Sequence, residues 1–444
     1  MWIIEKISRS SAGSGRTERL GIATFLIVLV LSILSGVVFS HSFSGDLFAV
    51  WKAGASFSQG DLANVYPSDG AYFTMLPPDA WIDEAPEGEI RGIVYPFVYP
   101  PLWAWAASLL QGVVSYEEFS SLVSFANPLL MLGMLIMAHR LAAPALGQAT
   151  YVAIGAIFFW FSMAGAMALF QKQPQIMVAF LTVFAIYSVH LGRPVAGGLA
   201  LAAAASIKLF PAALAIFWLA SGQRRATASF CVAGGALAVL SVIVAGWPLH
   251  EAFLHEVRLI SGTSLLTRLN YSVESVFTAA LFPDLVTFVA APSVGSGAGA
   301  GVGWYVLAEP AVSNLAFSVV LIGVIALLAR RFHTTRGQAI ALWPLSLMLL
   351  TLLSPIAWAY YFLAPLSFLP ALFDRFRLRT ALVLALTALI LTSPFVQSSV
   401  FGRASGGDPD RFMIQWLGVL AMCMLTAAFW VMFRREERML GDKR

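Results

Sequence analysis

The chain is built of apolar runs about 17–25 residues long, the length a helix needs to cross about 30 Å of hydrocarbon. Such runs must be helical, because a backbone facing lipid has no water to satisfy its N–H and C=O groups. They recur at 20–40, 120–138, 151–169, 174–190, 228–247, 305–329, 338–353, 357–373, 379–395 and 412–433. A long, interrupted run covers 196–220, and a short one covers 101–114. Only 11% of the 444 residues are charged, against about 25% in a soluble domain. The expectation is an all-α polytopic membrane protein of about twelve transmembrane helices, forming one domain over 1–444.

Basic residues sort the ends of these runs. Lys6, Arg9, Arg16 and Arg19 precede the first, Arg224–Arg225, Arg330–Arg331 and Arg375–Arg379 lie between later ones, and Arg434–Arg444 closes the chain. Positive residues mark the cytoplasmic side, so the tails 1–19 and 434–444 are expected there. The first run exceeds the apolar stretch of a cleaved leader, about 7–15 residues, and reads as an uncleaved span. The net charge of +4 is accounted for by topology, and no nucleic-acid partner is expected.

Two polar stretches, 41–100 and 248–304, are expected outside the cytoplasm. The first sets eight acidic residues against Lys52 and Arg91, and the second contains the flexible run SVGSGAGAGVG at 293–303. Short interfacial helices are expected within both. Two arrangements remain open. Either 101–114 crosses the membrane and 196–220 is a single span, or 101–114 lies at the interface and 196–220 is two short helices broken at Lys208–Pro211. The charge rule favours the second by two residues to one, and Pro211 supports a break.

Few residues can carry chemistry. Asp46 lies just past the first span among Phe43, Phe48 and Trp51, a setting able to tune a carboxylate, although a solvated loop carboxylate needs no function. Lys208 sits inside an apolar run, where a lysine needs an anion, a cavity or a snorkelling path. The turn QKQPQ at 171–175 offers Lys172 and Gln173, and is equally an ordinary polar turn. Arg258, Arg268 and Asn270 suit a sugar phosphate or any solvated loop. Tyr95 and Tyr99 in VYPFVYPPLWAW, and Trp358 and Tyr360 in SPIAWAYY, read as aromatic belts or as sugar-facing rings. Cys231 and Cys423 lie in apolar runs and are expected as buried thiols. The histidines show no metal-binding spacing, and no phosphate-binding glycine loop or nucleophile elbow is present.

Taken in order, these segments resemble the polyprenyl-phosphate-sugar-dependent glycosyltransferases of family 87, over roughly 40–375. GDLFAVWKAG resembles the family's early acidic segment, GDLANVY the Gly-to-Tyr stretch after it, and FVYPPLWAW its Tyr-Pro-Pro motif. QKQPQ resembles its glutamine turn, RPVAGGLALAAAASIKLFPAAL its glycine-rich helix ending in Lys-x-x-Pro, RLNYSVESV its Asn-x-Ser segment, and LLSPIAWAYY its Ser-Pro…Trp segment. Relatives often carry a histidine where this chain has Tyr360, which bears on the acceptor.

The resemblance implies a membrane-embedded GT-C fold, Asp46 as general base, and inverting transfer of a hexose, mannose favoured, from a polyprenyl-phosphate donor. It places Lys208 near the donor phosphate, with Lys172 and Arg258 as further cations. Trp51, Tyr95, Tyr99, Gln173, Arg268, Asn270, Trp358 and Tyr360 would line the sugar and acceptor sites. A good leaving group, one base and one or two cations suffice for this chemistry, so no cofactor and no metal is required. The expected partners are membrane lipid, the lipid-linked donor and a lipid or glycan acceptor, with no obligate protein partner. The expected location is a bacterial plasma membrane, with the site on the periplasmic or extracellular side. Two rivals stand: a lipid-linked-sugar transporter, which would need charges along a two-sided path, and a non-catalytic assembly subunit, which would tolerate replacement of Asp46 and Lys208.

Overall fold

The computed structural model describes residues 22, 24, 26–67, 70, 72–83, 92–290, 293–294, 303–401 and 410–441. The basic N-terminal segment and most of the glycine-rich run at 293–303 lie outside these.

The first helices form an elbow. Helix α1 (Leu26–Ser40) is followed after four residues by α2 (Gly45–Ser58), bent from it by 68°. Ser44 caps α2, accepting from Leu47 N at 3.1 Å. A one-turn α3 (Ala80–Asp83), a two-residue strand β1 (Gly92–Ile93) and α4 (Pro101–Ser108) complete the first polar stretch. At eight residues α4 is about 12 Å long, too short to cross, and Pro101 starts it where the lost N–H is no cost.

Helix α5 (Tyr116–Ala142) is long and apolar enough to cross a membrane. It opens on a capping box in which Ser115 Oγ accepts from Glu118 N and Glu118 returns the bond to Ser115 N. The expected span at 151–169 is instead α6 (Gln148–Phe161) and α7 (Met163–Phe170), bent by 70° at Ser162. Gly165 permits the elbow, since a Cβ there would lie 2.0 Å from Phe159 O. Helices α8 (Gln175–His190) and α9 (Pro194–Ile207) follow. Gly197 faces α8 and Gly198 faces the later α11, each so close that a Cβ would overlap backbone or side-chain atoms, the small-residue contact that membrane helices use to approach.

Between Ile207 and α10 (Leu214–Ala220) the helix is broken by Lys208 in an extended conformation and a 3-10 turn at Phe210–Ala213. This is the broken-helix geometry of the second arrangement. Helix α11 (Arg224–Ser261) does not end at residue 247 as expected; Gly246, at φ 73°, redirects it and Pro248 begins its second half.

The second polar stretch is not purely helical. After β2 (Thr263–Leu266) and α12 (Val273–Leu281) come β3 (Val286–Ala290), β4 (Ser293–Val294) and β5 (Gly303–Ala308). β5 lies between β2 and β3 in an antiparallel sheet, and β1 pairs with β4, so the two polar stretches are joined by backbone. β-Branched and aromatic residues in VTFVA and GWYVLA suit strands, and they displace the start of the span expected at 305.

Helix α13 (Ala311–Thr335) is long and apolar, whereas α14 (Leu342–Leu352) has eleven residues. The span expected at 357–373 is a chain of short turns, with α15 (Leu363–Leu366) and α16 (Leu372–Arg375) among them. Pro365 and Pro370 break it, and its residues are apolar because they are core: Phe362, Leu363, Phe368 and Leu369 are each at most 1% exposed. Helices α17 (Leu378–Thr392), α18 (Pro394–Phe401) and α19 (Asp410–Gly441) finish the chain. Four of the described helices are long and apolar enough to cross a membrane, with two bent pairs and five shorter apolar helices beside them. Cys231 and Cys423 are free and exposed, not buried. They sit on outward faces of α11 and α19, where an apolar surroundings accommodates a thiol as well as a core does.

Candidate active site

A cavity of about 1170 Å³ collects side chains from most of the polar segments. Its lining includes the polar side chains of Asp46, Gln173, Lys208 and Arg268, the rings of Tyr95, Tyr99, Trp358 and Tyr360, and apolar side chains among which are Leu209 and Phe210, Leu321 and Ile325 of α13, and Leu350 of α14.

Asp46 stands in the first turn of α2, beyond the bend that ends α1. The helix N-terminus favours its ionised form. Gly45 lets that turn approach the chain at 93–95, since a Cβ would lie 2.2 Å from Ile93 O and 2.7 Å from the Tyr95 ring. Burial pushes the Asp46 carboxyl up to about 6, opposed by a hydrogen bond from Gln173 and by the charge of Lys208. Gln173 is brought there by the α7–α8 turn, and the Tyr99 hydroxyl reaches its Oε1 at 3.5 Å.

Lys208 enters the cavity because α9 ends at it. Its Nζ donates to the Tyr361 hydroxyl at 3.2 Å and lies 4.4, 5.3 and 5.8 Å from the ring centres of Tyr361, Tyr99 and Tyr360. Among the described residues no carboxylate is ion-paired with it, so a cation rests on ring faces, with its charge available to an anion. Tyr361 and Gln171, also on the cavity wall, were not singled out from sequence. A tyrosine two residues from a helix of unknown phase carries no signal until the chain at 357–362 is placed.

Four expected site residues lie elsewhere. Lys172 is 0% exposed and donates to Ser42 O and Ser120 Oγ at 2.5 and 2.6 Å, so it does not line the cavity. Arg258 is exposed and does not line the cavity, to which α11 contributes Phe253, Val257, Ile260 and Ser261. Trp51 stacks on Phe119 with ring centres 5.9 Å apart. Asn270 is wholly buried and uses its whole amide in structure. Nδ2 donates to Leu265 O and Ser275 Oγ, and Oδ1 accepts from Ser272 N and Ala357 N. This ties 269–271 to 357–359, where Tyr271 N donates to Ala357 O and Ala359 N to Leu269 O, each at 2.7 Å. Asn270 thereby sets the wall that carries Arg268 and Trp358.

Among the described residues no group of three or more His, Cys, Asp or Glu side chains converges as a metal site. One carboxylate, one aromatic-cradled cation and a largely apolar lining are suited to moving a proton and neutralising an anion on an amphipathic substrate.

The sequence profile of glycosyltransferase family 87 matches residues 97–355, more than half of the chain. The chain belongs to glycosyltransferase family 87. The match takes in Tyr99, Gln173, Lys208 and Arg268 of this family 87 protein, while Asp46, Tyr95, Trp358 and Tyr360 lie outside it. A search of curated proteins gave no match. Among solved structures, the crystal structure of ArnT from Cupriavidus metallidurans bound to undecaprenyl phosphate aligns with 13% identity, over 92% of this chain and 75% of that one, at a TM-score of 0.43.

Proposed function

We propose that this membrane glycosyltransferase has a GT-C fold and moves a hexose, mannose favoured, from a polyprenyl-phosphate donor to a lipid or glycan acceptor with inversion, on the non-cytoplasmic side of a bacterial plasma membrane. The observation that carries the reading is the shared cavity. Asp46 and Lys208 line one cavity together with apolar side chains of α13 and α14, which suits a substrate with a charged head and a hydrocarbon chain.

Asp46 takes the proton of the acceptor hydroxyl. The acceptor oxygen forms a bond to the anomeric carbon as the bond from that carbon to the phosphate oxygen breaks. The electron pair leaves with the polyprenyl phosphate, and Lys208 offsets the added negative charge. A single displacement of this kind inverts the anomeric centre. Trp358 and Tyr360, with near-parallel rings 6.0 Å apart, offer apolar faces to a sugar, and Arg268 and Gln173 offer donors. The chemistry asks for no metal or cofactor.

The test is transfer by purified protein in lipid, with a panel of radiolabelled polyprenyl-phosphate sugars and mixed membrane glycolipids. Label reaching a new product with wild type but not with Asp46→Asn is expected. Full activity in Asp46→Asn would remove the base from this scheme, and lipid counterflow without bond formation would replace transfer with transport.

A further inference from the structure

Lys172 is the buried cation that the reaction does not use. It occupies the left-handed region, at φ 47°, in the turn between α7 and α8. A non-glycine residue there is uncommon and calls for compensation from its surroundings. The compensation is a three-point latch. The carbonyl of Gln171 accepts from Ser44 Oγ, the cap of α2. The ammonium of Lys172 holds Ser42 O, in the bend between α1 and α2, and Ser120 Oγ of α5. Gln173, the next residue, lines the cavity with Asp46. Two consecutive residues thus grip positions 42 and 44, and a third shares the cavity with position 46. Tyr116 of α5 adds a bond to Ser44 O at 3.2 Å. A fully buried lysine with no carboxylate beside it among the described ion pairs is costly to keep, so simple packing is a poor account of it.

We propose that Lys172 is a positioning residue that holds the α1–α2 elbow in register with the 171–173 turn, so that Asp46 points at the acceptor. The inference rests on Asp46 being the base. Asp46 needs an ordered first turn of α2, and the four-residue bend before it has little structure of its own: the backbone bonds described there are Ser42 N to Phe39 O at its start and Phe48 N to Ser44 O at its end. Lys172 supplies the fixed point from outside. A displacement of about 1 Å in a catalytic group costs on the order of a hundredfold in rate.

The experiment compares wild type, Lys172→Met, Ser120→Ala and Asp46→Asn in lipid nanodiscs, using polyprenyl-phosphate [3H]mannose with mixed membrane glycolipids. Lys172→Met is expected to lower kcat by tenfold or more, on the order that misplacement causes, while donor KM stays within about twofold. Its pH midpoint is expected to rise, because Asp46 loses the alignment with Gln173 and Lys208 that lowers it. Ser120→Ala keeps the lysine and removes one of its partners, so a smaller kcat loss with the same direction of pH shift is expected; it serves if Lys172→Met does not fold. An unchanged kcat and pH midpoint in the folded variants, or a raised donor KM at constant kcat, would overturn the positioning role. Activity in Asp46→Asn would instead overturn the base assignment beneath it.

Discussion

Lys208 Nζ donates to the hydroxyl of Tyr361 while lying 4.4 Å from the centre of the same ring. The ring therefore both stabilises the cation and sets where its charge points. On the proposed scheme Lys208→Met should lower kcat by about a hundredfold, the scale for removing one preorganised charge partner. Tyr361→Phe should cost less, about threefold to tenfold, since the ring face remains. Steady-state kinetics on both variants checks the order; equal losses would mean that the hydroxyl acts directly.

With the Asp46 carboxyl raised to about 6 by burial, the ionised base predominates only above that pH. The rate of transfer should climb about tenfold per pH unit below 6 and level off above it. Gln173→Leu removes a hydrogen bond that favours the charged carboxylate, so its midpoint should move up. A pH–kcat profile for each protein decides, and a downward shift would contradict the assignment.

Asn270→Ala leaves the buried N–H groups of Ser272 and Ala357 without their acceptor and removes one donor each from Leu265 O and Ser275 Oγ. A loss of about 3 kcal/mol is expected, together with altered sugar handling, because Trp358 is held through this side chain. Thermal unfolding in detergent measures the first effect. A neutral variant would show that water replaces the amide.

The α12 carboxyl of Glu274, almost wholly buried, is pushed up to about 9 by burial and by the neighbouring charge and hydrogen bond of Glu309. Such a group is protonated in the folded protein at neutral pH. Its contribution to stability is complete below about pH 4.5, the usual glutamate value, and is lost as pH rises through about 9. Glu274→Gln mimics the neutral form, so its stability should fall less between pH 6 and 9 than that of wild type. Melting curves across that range test this; parallel loss would place the sensitivity elsewhere.

The segments that carry the family resemblance hold one another. Tyr66 of GDLANVY donates to Tyr99 O of the Tyr-Pro-Pro motif, and Trp103 of that motif donates to Ser206 O beside Lys208. Ser44, one residue before Gly45 and Asp46, donates to Gln171 O. Ser272 and Ser275 of the Asn-x-Ser segment donate to Ser354 O and Pro355 O. The same residue types that read as ligands from sequence are thus divided between the cavity and its frame, and the lysine and asparagine of the frame carry no mark of it in their local sequence.

The amino-acid order by itself determined a helical membrane protein, the place of Asp46 just past the first apolar run and the resemblance to the family, and it left the break at Lys208–Pro211 as one of two arrangements, because apolar run length and proline act locally. Only the tertiary structure decided which apolar segments form long helices and which are short turns in the core, since both 357–373 and α13 are apolar enough to read as spans. It alone paired β1 with β4 and turned Lys208 into the cavity and Lys172 out of it. A lysine's direction depends on which backbone carbonyls and rings lie near its end, and those come from segments more than a hundred residues away, Ser42 for Lys172 and Tyr361 for Lys208.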